Sequence, residues 1–429
     1  MNNVKLLKGL ASNSASPTDT WIVSSNAHTG AVFLKWFMYE HKTPLIRGMM
    51  YETRVYLDVT NPLIRHRVCP HFVKCIAGED DKTLKRVMGV IKNSDVPRDD
   101  MEIVLKRSLY YQRHHLPARP SITNTNMTAG QRVFFKNQKF HNKVRMGYTA
   151  TEAIDGKTTI TLDDFVKGLQ GMQAHGVPKY SQMLLHILFQ LAVSSYAMHL
   201  SKMMHNDLHI GNVWVTNQAR ERFTYAINGD IYSFKTRIFT MLYDFDRSYV
   251  QRLGPNPFIE SNPYLCEEAS SCNSLQMGLD LLKVHCYLRR MLHNTPFQHI
   301  IDSSLGFLLK KKEDLRHITE YLDTPGCFLN KDTMGVVTRM PPRLYELLET
   351  APMYMKKLSR EITGLQRTTR SSRNVYICSE EMFDSNGVVH PSRRPALNYR
   401  VDPPAEHSAG ELDPQTLMTF SGFDMDVEQ

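Results

Sequence analysis

Two short stretches of this chain carry side chains that could share a reaction centre. The first is His205-Asn206-Asp207-Leu208-His209-Ile210-Gly211-Asn212-Val213, and the second is Tyr243-Asp244-Phe245-Asp246. A carboxylate such as Asp207 can take a proton from a hydroxyl. The amide of Asn212 and the carboxylate of Asp244 present oxygen atoms with free lone pairs.

Such groups need rigid elements to hold them. Residues 180–204 read as a long amphipathic helix, interrupted by His186, Gln190, His199 and Lys202, which makes it a core helix and not a membrane span. The first stretch follows that helix and precedes strand-like sequence. The second follows the strand-like run 239–242. Residues 222–227 and 232–237 read as the two arms of a hairpin, with Asn228-Gly229-Asp230 as its turn. Upstream, residues 4–8, 20–24, 31–37, 71–77 and 143–154 have strand character, and 44–58 has helical spacing. Helical patterns return at 162–170, 275–292, 309–322 and 342–365. The predicted class is α+β, with a β-rich first part and an α-rich second part.

HxDLHxGNxxV, followed by a strand and DFD, resembles the catalytic and metal-binding loops of the protein-kinase-like superfamily. The closest likeness is to the serine/threonine protein kinases of large DNA viruses, the poxvirus and iridovirus type of virion kinase. The resemblance implies a bilobed protein-kinase-like fold with a β-rich N-lobe and an α-helical C-lobe. It places the N-lobe at 1–154 with a helical insertion at about 80–140, the C-lobe at 155–366, and a flexible C-terminal extension at 367–429. The implied reaction moves the γ-phosphoryl of ATP to a protein Ser/Thr hydroxyl, with Asp207 as catalytic base and Asn212 and Asp244 holding Mg²⁺, or Mn²⁺ in its place. Lys35, in VFLKWF, matches the lysine that contacts the α/β-phosphates. Glu52, 17 residues on, matches its ion-pair partner. Glu152 and Ile154 match the hinge that reads adenine. Asp280 matches a buried aspartate that supports the catalytic loop, and His205 a histidine that packs inward against backbone. The resemblance further implies an intracellular enzyme of the host cytoplasm or nucleus that is packaged in the virion.

The chain departs from that pattern at several positions. The nucleotide-binding loop reads Gly9-Leu10-Ala11-Ser12-Asn13-Ser14-Ala15-Ser16, so backbone at Gly9 and hydroxyls of Ser12 and Ser14 would replace a glycine-rich cradle. Asn206 stands where the family has arginine, which implies activity without activation-loop phosphorylation. His209 stands where protein kinases have lysine and where aminoglycoside- and choline-kinase-like enzymes have histidine. Asp246 replaces the glycine of DFG, and no APE motif lies between Asp246 and Asp280. A small-molecule kinase is therefore a second reading, and a pseudokinase scaffold a third.

Composition bounds these readings. The chain has 429 residues and 42% hydrophobic and 22% charged residues, which excludes a wholly disordered or collagen-like chain. Seven scattered cysteines without a CxxC pair exclude a zinc ribbon and a disulfide framework, and fit reduced thiols. The formal charge of +9 favours anionic partners. Nucleic acid is not evidenced beyond that charge. Basic side chains cluster at Lys356, Lys357, Arg360, Arg367, Arg370 and Arg373, whereas 411–429 holds five acids and no base. His114-His115 lacks a nearby third ligand and reads as a solvated loop.

Overall fold

The computed structural model describes residues 4–10, 19–25, 31–39, 41–42, 44–83, 133, 145–154, 156, 158–170, 172, 176–261, 275–276, 278–311, 344–367 and 374–393. These residues form a mixed α/β protein that divides into two compact units. One is drawn from Met1–Leu57 and Lys74–Lys157, the other from Asp58–Val73 and Thr158–Ala405.

The first unit is built on a five-stranded antiparallel sheet in the order β1-β2-β3-β5-β4. Its strands are β1 (Val4–Leu10), β2 (Asp19–Ser25), β3 (Ala31–Tyr39), β4 (Cys75–Thr83) and β5 (Arg145–Glu152). Helix α1 (Pro44–Arg54) lays Ile46 and Met49 against Phe37 and Tyr39 of β3. Close seating of α1 requires Gly78: a Cβ there would stand 2.1 Å from the Thr53 methyl. Thr53 and Thr149 hydroxyls also bond at 2.5 Å, tying α1 to β5. The helical insertion expected at about 80–140 is not helical at its start, because residues 80–83 complete β4. Most of 84–144, including His114-His115, lies outside the described residues.

The second unit contains more β-structure than the sequence-based expectation of an α-helical lobe. Strands β8 (Val213–Ile227) and β9 (Asp230–Leu242) form one long antiparallel hairpin, with Asn228 and Gly229 at φ 45° and 88° in its turn. The expected hairpin insertion at 222–237 is thus the far end of a ribbon that starts at the candidate loops. Its alternating burial and its Phe and Tyr content fit a half-buried strand pair. Along its other edge, β8 pairs first with β6 (Thr159–Thr161), antiparallel, and then with β11 (Asn374–Cys378), parallel. Residues 374–393 are therefore folded and not a flexible extension. Val375, Ile377 and Cys378 are buried and supply the reason.

Helix α2 (Val177–Leu200) is buried along nearly its whole length after Leu184. It is long and apolar enough to cross a membrane by composition, but 78% of the relevant window lies inside the protein. Gln190 fixes it to β9: its Nε2 donates to Ile238 O at 2.8 Å, and its Oε1 accepts from Thr240 N at 2.8 Å. Residues 58–73, expected in the first lobe, belong to the second unit. Val73 N donates to Leu242 O, Leu242 N donates to His71 O, and Phe72 is buried beside them. The predicted strand at 71–77 consequently splits at the boundary, and β4 starts at Cys75.

Candidate active site

Two loops carry the candidate chemistry, and secondary structure joins them at both ends. At one end, Val213 of β8 pairs with Leu242 of β9, and Tyr243 N donates to Asn212 O at 3.3 Å. At the other, β7 (Met203–Met204) pairs with β10 (Tyr249–Val250). Residues 205–212 and 243–248 are thereby held side by side. Tyr243 OH adds a 2.5 Å bond to Gly211 O.

The first loop is anchored from below by helix α3 (Leu279–Met291). Asp280 accepts from His205 N at 2.8 Å and from Asn206 N at 3.1 Å, the supporting role expected of it. Lys283, one turn on, donates to Asn206 O at 2.5 Å and is fully buried. Burial lowers its pKa, while Asp280 and Asp207 oppose that shift. Asn206 adopts φ 64°, a left-handed conformation that asparagine tolerates better than most residues. His205 also packs inward as expected: Nε2 faces Tyr243 O at 3.1 Å, and the ring lies 4.9 Å from that of Phe245.

Asp207 is buried, with its side chain 9% exposed. Desolvation pushes its carboxyl up to about 6, against the pull of Arg247, His205 and Lys283. A carboxylate tuned to that range can exchange a proton near neutral pH. Arg247 Nη1 sits 3.3 Å from its Oδ1. Asn212, also buried, donates from Nδ2 to Asp207 O at 3.0 Å, which leaves Oδ1 as the amide atom for another partner. Asp244 sits at φ 64° directly after β9. Its charge is felt at Asp207, His205 and His209.

His209 caps the short 3₁₀ turn Ile210–Asn212, accepting from Gly211 N at its Nδ1 (3.0 Å). A ring nitrogen that accepts carries no proton, so the neutral ring bears its hydrogen on Nε2. Burial lowers its pKa further. Gly211 is required under that ring, because a Cβ would stand 2.7 Å from Cε1.

In the first unit, Lys35 Nζ and Glu52 Oε2 meet at 2.9 Å, with Glu52 buried at 3% exposure. Lys35 comes from β3 and Glu52 from α1, so the seating of α1 on the sheet sets the pair. Glu152 ends β5. Its amide donates to Lys74 O and its carboxylate accepts from Lys74 N, both at 3.0 Å, so that amide is not open to a ligand. Ile154 follows the strand end, partly buried. Gly9 lies within β1, opposite Trp21, whereas Ser12 and Ser14 are outside the described residues.

The sequence reading missed Arg247 and Lys283. A basic residue directly after two acids, and a lysine three positions after Asp280 on one helix face, were the available signals. Among the described residues, no three His, Cys, Asp or Glu side chains converge as a metal cage. In general, Mg²⁺ is held by one or two carboxylates and completes its shell with phosphate and water. The donor set of Asn212 Oδ1 and Asp244 is of that kind. Among the described cysteines, Cys69, Cys75, Cys286 and Cys378 are buried free thiols.

No family model matches the chain. No curated protein matches it either. A solved structure described as WaaP in complex with acyl carrier protein is similar over 74% of this chain and 89% of that one, at 10% identity and a TM-score of 0.28. Likeness at that score transfers neither fold nor function.

Proposed function

We propose that this chain is an ATP-dependent phosphotransferase of protein-kinase-like fold, acting on Ser/Thr hydroxyls of proteins. The observation that carries the reading is the juxtaposed loop pair: a buried carboxylate at Asp207, an oriented amide at Asn212 and a second carboxylate at Asp244. In this reading Asp207 orients the acceptor hydroxyl and takes its proton. Asn212 Oδ1 and Asp244 would hold Mg²⁺, whose charge offsets that of the phosphates. Lys35, kept extended by Glu52, would bind the α/β-phosphates. His209 offers one neutral donor, Nε2–H, and no charge. Asp280 and Lys283 keep the loop backbone from shifting, so catalysis is positioning plus electrostatics.

The test is phosphate transfer from radiolabelled Mg-ATP and Mn-ATP onto the chain itself and onto protein acceptors. Wild type is expected to label, and Asp207→Asn and Asp244→Asn to abolish labelling while leaving the melting temperature within a few degrees. Equal labelling by wild type and both variants would sink the assignment. Absence of turnover in wild type, with no Mg-ATP-dependent thermal shift, would favour a scaffold. The neutral His209 favours one second reading, a kinase for small amino-alcohol or aminoglycoside-like acceptors, which an acceptor screen separates from the first. On the same footing as the viral resemblance, the proposed setting is the cytoplasm or nucleus of an infected host cell, and the virion.

A further inference from the structure

A carboxylate that holds a metal must keep one direction, and a residue on a loop keeps it only if the backbone on both sides is fixed. Before Asp244, Tyr243 N donates to Asn212 O at 3.3 Å, and Tyr243 O faces His205 Nε2 at 3.1 Å. After Asp244 no long strand takes over, because β10 begins only at Tyr249 and has two residues. Side-chain donors replace a strand partner there. Phe245 O accepts from Ser248 Oγ at 2.6 Å, and Asp246 O from Asn256 Nδ2 at 2.8 Å. Arg247 O accepts from Asn206 Nδ2 at 3.2 Å, and Ser248 O from Asn256 Nδ2 at 2.9 Å. Successive carbonyls from Phe245 to Ser248 are thus all held by side chains.

Asn256 takes two of these carbonyls and is fully buried. Its amide hydrogens bridge Asp246 and Ser248, and its Oδ1 accepts from Phe258 N at 3.0 Å, capping the short helix Pro257–Glu260. The chain returns to 246–248 through the 3₁₀ turn Gln251–Leu253 and through Gly254 at φ 78°, a value that favours glycine. One side chain therefore ties the segment behind Asp244 to a helix start ten residues further on. Buried polar groups are retained where each finds a partner, and here every partner is backbone.

We propose that Asn256 is a positioning residue for Asp244: by bridging Asp246 O and Ser248 O it fixes the turn that follows Asp244, and with it the direction in which that carboxylate is presented. The proposal rests on the phosphotransferase reading above, in which Asp244 would hold Mg²⁺. Asn256 acts through backbone alone. Groups that orient a metal ligand from behind typically set about 10–100-fold in metal affinity or activity. The bridge is made within the folded chain itself, so its loss is measurable without metal or nucleotide.

The experiment compares wild type with Asn256→Asp, which keeps the capping oxygen but has no N–H, and with Asn256→Ser, which keeps the cap and has one O–H in place of two N–H groups. Hydrogen exchange of the metal- and nucleotide-free chain is read by mass spectrometry on peptides spanning 244–250 and 257–261. Phosphate transfer from ATP onto the chain itself and onto casein is measured over a range of Mg²⁺ concentrations, and melting temperature is recorded for each variant. In both variants the 244–250 peptide should exchange at least about tenfold faster, as follows from two lost hydrogen bonds. The 257–261 peptide should stay near wild type, because the cap survives. The Mg²⁺ concentration for half-maximal transfer should rise about 10–100-fold, and added Mg²⁺ should restore most of the lost rate. Wild-type exchange at 244–250 in both variants, or wild-type Mg²⁺ dependence in both, overturns the proposal and leaves the phosphotransferase reading intact. So does a loss of rate that Mg²⁺ does not restore, with both peptides exchanging faster, which marks Asn256 as a general support of the fold. A wild type that transfers nothing overturns the reading and the proposal together. Were Asn256→Asp to unfold, Asn256→Ser decides on the same two measurements.

Discussion

Asn206 and Asp244 both occupy left-handed backbone conformations, the first directly before Asp207 and the second itself one of the candidate carboxylates. Strain of that kind persists only where surroundings fix it, and here the fixing groups are Asp280, Lys283 and the β7/β10 pair. Among single residues, His209 offers the sharpest check of the local geometry. Its Nδ1 accepts from Gly211 N, so nitrogen NMR should find an Nε2–H tautomer at pH 7, with protonation only below pH 6.5. Gly211→Ala should swing the ring away, because the new methyl cannot sit 2.7 Å from Cε1. The tautomer signal would then be lost, with little change in melting temperature, as the turn is only partly buried at that point. An unchanged tautomer in Gly211→Ala would show that the ring is held by something other than this cap. At this scale the sequence was most legible: the motif resemblance pairs Lys35 with Glu52 and sets the loops of Asp207, Asn212 and Asp244 side by side, as they are found. Arg247 was not legible, because its position beside Asp207 depends on a two-residue strand pair too short to leave a periodic pattern.

Among the elements, β8 does the most to position the site. It carries β9 along one edge and β6 and β11 in turn along the other. The hairpin turn was readable from Asn228-Gly229, because both central residues need positive φ. Strand β11 was not readable, because parallel pairing with β8 is a contact 150 residues away in sequence with no local turn signal. Its Ile377 is buried at 3% exposure. Ile377→Ala should cost about 2–5 kcal/mol, measured by chemical denaturation. A cost below about 0.5 kcal/mol, the range of surface substitutions, would mean that β11 is not part of the cooperative structure. Helix α2 shows the same limit from another side. Its composition alone passes for a membrane span, and only Gln190 and the burial around it place it in a protein core.

At the scale of the whole molecule, the second unit buries His71 and His285, which nothing in residue type or spacing separates from the other histidines. His71 lies between Thr240 O (3.0 Å) and Tyr225 OH (2.9 Å). His285 lies between Leu281 O (2.8 Å) and Tyr354 OH (3.1 Å). Desolvation is the first cause of shift for each, lowering His71 to about 3 and His285 to about 4 from 6.5. The unfolded chain therefore binds more protons than the folded one below pH 6.5. Stability is full above that pH and falls as pH drops towards the folded values, by about 1.4 kcal/mol per pH unit for each histidine. At pH 5 the pair should remove about 4 kcal/mol, a large share of the roughly 5–15 kcal/mol that domains possess. Urea denaturation between pH 7.5 and 5 should show this slope in wild type. In His71→Gln/His285→Gln the loss between pH 7.5 and 5 should be smaller by about 4 kcal/mol, whatever the variant's stability at pH 7.5. An unchanged slope would place the titrating groups elsewhere. The net charge of +9 gives no guide to this behaviour, because what counts is the burial of two neutral rings and not the sum over the surface.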